Sequence, residues 1–150
     1  ITGAAGGQGE VAVDLFVREG ARVVASDLAS EPGSAIRAVM EREPERVCYT
    51  GGDVTATSTL DAIVATAVER FGRIDVLFNN HGVMVGSPLL ETTEAELDHV
   101  LDINVRATFL LSQRVARRMV EQGGGGRVSR YGGLRCVESR GGAARAFDGE

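Results

Sequence analysis

The residues of this chain best suited to chemistry are the glycines of its first turn and an acid further along. Gly3, Gly7 and Gly9 lie in Thr2-Gly3-Ala4-Ala5-Gly6-Gly7-Gln8-Gly9, which opens into an apolar run where Val11, Ala12, Leu15 and Phe16 recur at helical spacing. A turn so poor in side chains lets the main chain approach a diphosphate, which then rests on free N–H groups at the positive end of a helix. Asp27, with Leu28 beside it, closes the strand-like run Arg22-Val23-Val24-Ala25-Ser26. A carboxylate about 20 residues beyond such a turn stands where a ribose hydroxyl is bound. Turn, strand and acid in register predict a dinucleotide site.

Alternating elements must position these groups. Helical periodicity predicts helices over about 8–19, 31–43 and 57–71, the second with Pro32 in its first turn and Pro44 as its stop. Strands are expected at 22–27, 46–50 and 74–78, and a long helical region at about 93–122, begun by a Thr93/Glu96 capping box. Such alternation implies an α/β fold with a doubly wound parallel sheet, whose ligands bind at the carboxyl ends of the strands. Asp27, Asp53 and Asn80 fall at those ends. Periodicity fades after Gln122, and residues 127–150 are rich in Arg, Gly and Ala, so no regular element is expected there. Ile1 reads as the last residue of a strand whose body is missing, which leaves the expected sheet truncated.

Composition narrows the classes of partner. A net charge of −5 without any basic run argues against nucleic acid and acidic membrane surfaces. No apolar stretch approaches the roughly 20 residues of a membrane span, and no leader pattern opens the chain, so the expected location is cytoplasmic. Two isolated cysteines, Cys48 and Cys136, form neither a disulfide framework nor a metal cluster, and no metal is expected. All 16 basic residues are arginine, which suggests GC-rich coding DNA.

Over residues 1–127 the chain resembles the short-chain dehydrogenase/reductase family. The resemblance rests on Thr2-Gly3-x-x-x-Gly7-x-Gly9, on Asp53-Val54, on Asn80-His81-Gly82, and on Asn104 within Asp102-Ile103-Asn104-Val105. The family's fold is of Rossmann type. Its chemistry is hydride transfer between a nicotinamide and an alcohol or carbonyl substrate. By this resemblance Gly3, Gly7, Gln8, Gly9, Asp27, Leu28, Asp53, Val54, Asn80 and Gly82 hold the cofactor, and Asn104 is the catalytic asparagine that holds a proton-relay water. Gln8 and His81 stand where the family usually carries Ile or Leu and a small residue. Asp27 repels a 2′-phosphate, and Ala4, Ala5 and Gly6 offer no cation to hold one, so NAD is expected rather than NADP.

The family's tyrosine base depends on a lysine four residues later, because a phenol near pKa 10 needs an adjacent cation to ionise at neutral pH. This chain contains no lysine. Tyr131 and Arg135 have the family's spacing, but they lie too close to Asn104 in the sequence. The expected division is therefore a partial cofactor-binding domain at 1–127 and a divergent tail at 128–150, read as the product of a shifted frame or an altered end point. The chain as written is expected to be inactive. A non-catalytic nucleotide-binding fragment or pseudoenzyme is one alternative, and a Rossmann-type methyltransferase another. Leu97, Val100, Leu101, Val105, Phe109 and Leu110 form a stripe that either covers the sheet or joins subunits of a homo-oligomer.

Overall fold

A computed structural model describes residues 1–130 and the backbone of strands 137–140 and 143–146. Its elements, in order, are α1 (Gly7–Arg18), β1 (Val23–Asp27), α2 (Ser34–Arg42), β2 (Val47–Gly51), α3 (Thr57–Phe71), β3 (Val76–Asn79), α4 (Glu94–Leu101), a π turn (Asp102–Ala107), α5 (Thr108–Glu121), β4 (Gly126–Arg130), β5 (Val137–Arg140) and β6 (Ala143–Ala146). β1 pairs in parallel with β2, and β3 in parallel with β4. Thr2 bridges Ser26 of β1 and Asn79 of β3, both in parallel. Spatial order is therefore β2, β1, the stub Ile1–Thr2, β3, β4, then β5 and β6 in antiparallel pairing.

The apolar periodicity accounts for the helices that cover this sheet. Val13, Val17, Ile36 and Val39 of α1 and α2 pack with Val23, Ala25 and Val47 in one buried cluster. Leu60 and Ile63 of α3 and Leu111, Val115 and Met119 of α5 pack with Leu77 and Val128 in a second. Removing this apolar surface from water is the main force that holds the helices against the sheet.

Three expectations change. The second helix begins at Ser34 rather than Glu31, because Gly33 is its N-cap and the Pro32 carbonyl accepts a hydrogen bond from Arg37 Nε at 2.8 Å. The long helix is two α-helices around a π turn. Its start does carry the capping box, with Glu96 N–H donating to Thr93 Oγ1 at 3.2 Å and Thr93 N–H to Glu96 at 2.8 Å. Finally, strand backbone runs through 126–130, 137–140 and 143–146, where the sequence has no periodicity. The open edge of β3 supplies unpaired N–H and C=O groups, and the chain after Gly125 satisfies them with the buried Val128 as its apolar anchor.

Beside Ile1, strands β1 and β3 part around a cleft of about 330 Å³ lined by Phe16, Val24, Ile63, Phe71 and Val76 among others.

Candidate dinucleotide site

The carboxyl ends of the strands enclose a second cleft, of about 620 Å³. The glycine turn contributes Gly3, Ala5, Gly6, Gly7 and Gln8. Asp27 and Leu28 enter from the end of β1, Gly52, Asp53 and Val54 from the end of β2, and Asn80, His81, Gly82 and Val83 from the end of β3. His99 of α4 and Ile103 of the π turn close the wall. Of the residues assigned to cofactor binding from sequence, only Gly9 is absent from this wall.

Gly9 acts from behind it. A Cβ at Gly9 would collide with the Gly3 carbonyl oxygen and lie 2.7 Å from Ala4 Cα, so only glycine lets the first turn of α1 sit against the loop. Gly3 has φ +61°, and a Cβ there would lie 2.8 Å from the His81 amide nitrogen. A Cβ at Gly7 meets nothing within 4 Å. The first helical hydrogen bond runs from Glu10 N–H to Gly6 O at 2.9 Å, so the N–H groups of Gly7, Gln8 and Gly9 precede it and have no partner within the helix. Gly7 and Gln8 line the cleft, and with open space at Gly7 this end of the helix is suited to an anion.

Asp27 is aimed by the backbone. Its carboxylate accepts from Ala5 N–H at 2.8 Å and from Leu28 N–H at 2.7 Å, which ties the end of β1 to the turn. Asp53 accepts from Thr55 N–H at 2.8 Å, so it caps the loop before α3 as well as facing the cleft. Asn80 is a latch. Its Nδ2 donates to Gly3 O at 2.9 Å, and its N–H to Thr2 Oγ1 at 3.2 Å. Asp27 and Asp53 are the only formally charged side chains among the described residues of the wall, and no described group of three His, Cys, Asp or Glu side chains is placed to hold a metal.

Asn104 stands outside the cleft and clamps its loop. Val83 N–H donates to Asn104 Oδ1 at 2.9 Å, and Asn104 Nδ2 donates to Val83 O at 2.7 Å. This pairing explains an asparagine in the middle of a helix, and the π turn is the local winding that accompanies it. Asn104→Leu is expected to lower stability by about 2 kcal/mol through loss of two hydrogen bonds and a stranded Val83 main chain. Urea unfolding checks this; an unchanged midpoint would mean that the clamp contributes nothing.

Sequence reasoning missed several groups. His99 is exposed on α4 and also lines the cleft; its spacing of four from Ile103 was the available signal. Arg114 of α5 donates to Asp61 of α3 at 2.7 Å. Asn79 is buried at the end of β3 and donates to Ser112 of α5 at 3.2 Å. The His81 ring joins Thr2 Oγ1, 2.6 Å from Nδ1, to Thr108 Oγ1, 3.2 Å from Nε2. Burial lowers its pKa below the usual histidine range, Arg130 adds to this, and the Ile103 carbonyl and Asp27 oppose it. Tyr131, Arg135 and Cys136 lie outside the described residues.

Comparison with known proteins agrees with this geometry. The model of the short chain dehydrogenase family matches residues 1–129. A sorbitol dehydrogenase of Cereibacter sphaeroides is 38% identical over 128 residues, covering 85% of this chain and 49% of its own length. A levodione reductase of Leifsonia aquatica is 38% identical over 154 aligned positions, covering 99% of this chain and 58% of its own. A crystal structure of levodione reductase superposes with a TM-score of 0.77 at 37% identity, over 86% of this chain and 51% of that one. The chain thus spans about half the length of the relatives it matches. With the four motifs gathered on one Rossmann-type sheet, these matches establish that the chain belongs to the short-chain dehydrogenase/reductase family of oxidoreductases.

Proposed function

We propose that residues 1–127 form the NAD-binding half of an oxidoreductase that acts on a small alcohol or carbonyl compound. The observation that carries this reading is the cradle itself: helix N–H donors, a loop that admits no side chain at Gly3, and the Asp27 carboxylate fixed beside them. NAD, when bound, supplies the site that accepts or donates hydride. Gly3, Gly7 and Gln8 would face its diphosphate, Asp27 its adenine ribose, and Asp53 and Val54 its adenine, while Asn80 holds the turn in shape. Asn104 positions the loop after β3, and with it the wall on which the nicotinamide half would lie. Names such as sorbitol dehydrogenase and levodione reductase among the relatives support a hydroxyl or ketone as the reacting group.

Two acids and no cation among the described residues of the wall favour NAD over its 2′-phosphorylated form. Asp27→Ser is expected to weaken NADH binding about tenfold and to erase most of the preference over NADPH, as read by fluorescence titration. A variant that still rejects NADPH as strongly as the parent would overturn the role given to Asp27.

A second reading has its own support. The chain contains no lysine, so the family's Tyr-x-x-x-Lys pair cannot be built from it. As written it is then a nucleotide-binding fragment without turnover. We keep residues 128–150 as a separate, divergent tail. The alignment to the Leifsonia protein spans 99% of this chain and so enters that tail. Translating the coding DNA in all frames past Gly126 distinguishes a shifted frame from divergence within one frame. For assembly, Leu97, Leu101, Val105 and Phe109 are all exposed, at 46–63%, while Leu111, Val115 and Met119 cover the sheet. That exposed stripe supports a homo-oligomer of the full-length protein.

A further inference from the structure

His81 is a titratable ring that the proposed chemistry does not use, placed where three parts of the site meet. Thr2 Oγ1 already accepts two amide N–H groups, from Asn80 at 3.2 Å and from His81 itself at 3.5 Å. Its single O–H is then assigned to His81 Nδ1 at 2.6 Å, which gives the ring the neutral tautomer with its proton on Nε2. That N–H points to Thr108 Oγ1 at 3.2 Å, on the first residue of α5, beside the Ile103 carbonyl. Thr2 and Thr108 are both buried, at 0% and 5% exposure, so water does not replace either partner.

We propose that His81 is a positioning residue that locks the glycine turn, the loop after β3 and the start of α5 into one unit, and that dinucleotide binding depends on its staying neutral. A proton on Nδ1 would face a hydroxyl that already receives two donors. Thr2 would have to turn away, releasing the amides of Asn80 and His81 and loosening the Asn80–Gly3 latch that shapes the cleft. The charged groups that act on the ring are Arg130 of β4, which opposes protonation, and Asp27 of β1, which favours it; burial outweighs both. His99 of α4 lines the same cleft and is the second histidine to control for.

The inference rests on the dinucleotide reading, and the experiment separates the two. NADH fluorescence is titrated with the 150-residue chain, His81→Asn, Thr108→Val and His99→Gln between pH 5 and 8. The parent should bind as well at about pH 6.5 as at pH 7.5, because burial keeps the ring neutral there, and should weaken only toward pH 5 as the ring takes a proton. His81→Asn places an oxygen near the Nδ1 position, so it should weaken binding only about threefold at pH 7.5 and abolish the pH slope. Thr108→Val should lower affinity at pH 7.5 while keeping a slope, and His99→Gln should keep the parent's slope. A slope that survives in His81→Asn, or a flat parent, would overturn the proposal. If no form binds NADH, the dinucleotide reading fails by itself. The histidine ring resonances of the parent then decide the bridge. A neutral Nε2–H tautomer titrating below the ordinary histidine range supports it, and an Nδ1–H or freely titrating ring refutes it.

Discussion

Gly9→Val is expected to abolish dinucleotide binding and to destabilise the fold by about 3 kcal/mol or more. A Cβ at this position already overlaps the Gly3 carbonyl oxygen, and the nearby atoms are backbone, which cannot rotate out of the way. The helix would have to lift from the loop. That movement breaks the packing of Val13 and Val17 against Ala4, Val23 and Ala25, and it re-aims the N–H groups that form the cradle. Gly7→Ala is the contrasting case, since its Cβ meets no protein atom. It should leave the midpoint of unfolding within about 0.5 kcal/mol of the parent and weaken NADH binding alone. Thermal unfolding by circular dichroism, paired with NADH titration, reads both. A Gly9→Val chain that melts like the parent would show that α1 does not rest on the loop as described.

Leu111→Ala should cost about 3 kcal/mol, within the range seen when a fully buried leucine is truncated. Leu111 has no exposed surface and belongs to the cluster of Leu60, Ile63, Leu77, Val115 and Met119 that binds α3 and α5 to β3 and β4. The site depends on this cluster, because α5 carries Thr108 and follows the π turn that holds Asn104. Phe109, two positions away, is 63% exposed, and Phe109→Ala should change monomer stability by no more than about 0.5 kcal/mol. Urea unfolding of both variants tests the assignment of faces on α5. Equal effects would contradict it.

Much of this fold is legible in the residues. Thr57–Phe71 is bounded as its periodicity and Gly72 require, and the Thr93/Glu96 capping box starts α4 as its spacing predicts. The wall of the cleft was also readable, since strand ends gather Asp27, Asp53 and Asn80 in any parallel sheet of this kind. The π turn was not, because nothing in 93–122 announces that Asn104 will hold the main chain of Val83, twenty-one residues earlier. Nor was Gly9's indirect role, which depends on how closely two backbones approach. The strand at 126–130 was hidden by a glycine- and arginine-rich composition; the open edge of β3, a long-range feature, is what shapes it. The Thr2–His81–Thr108 bridge likewise joins residues whose partnership exists only after the sheet has formed.

The central claim is that the cleft at the strand ends receives a nicotinamide dinucleotide through the glycine turn and Asp27. NADH is titrated into the 150-residue chain at pH 7.5, with its fluorescence as the readout and S-adenosylmethionine as competitor. Saturable NADH binding that S-adenosylmethionine does not displace, and that Gly9→Val removes, is the expected result. No saturable binding by a chain shown to be folded, or displacement by S-adenosylmethionine at lower concentration than by NAD, would contradict the account.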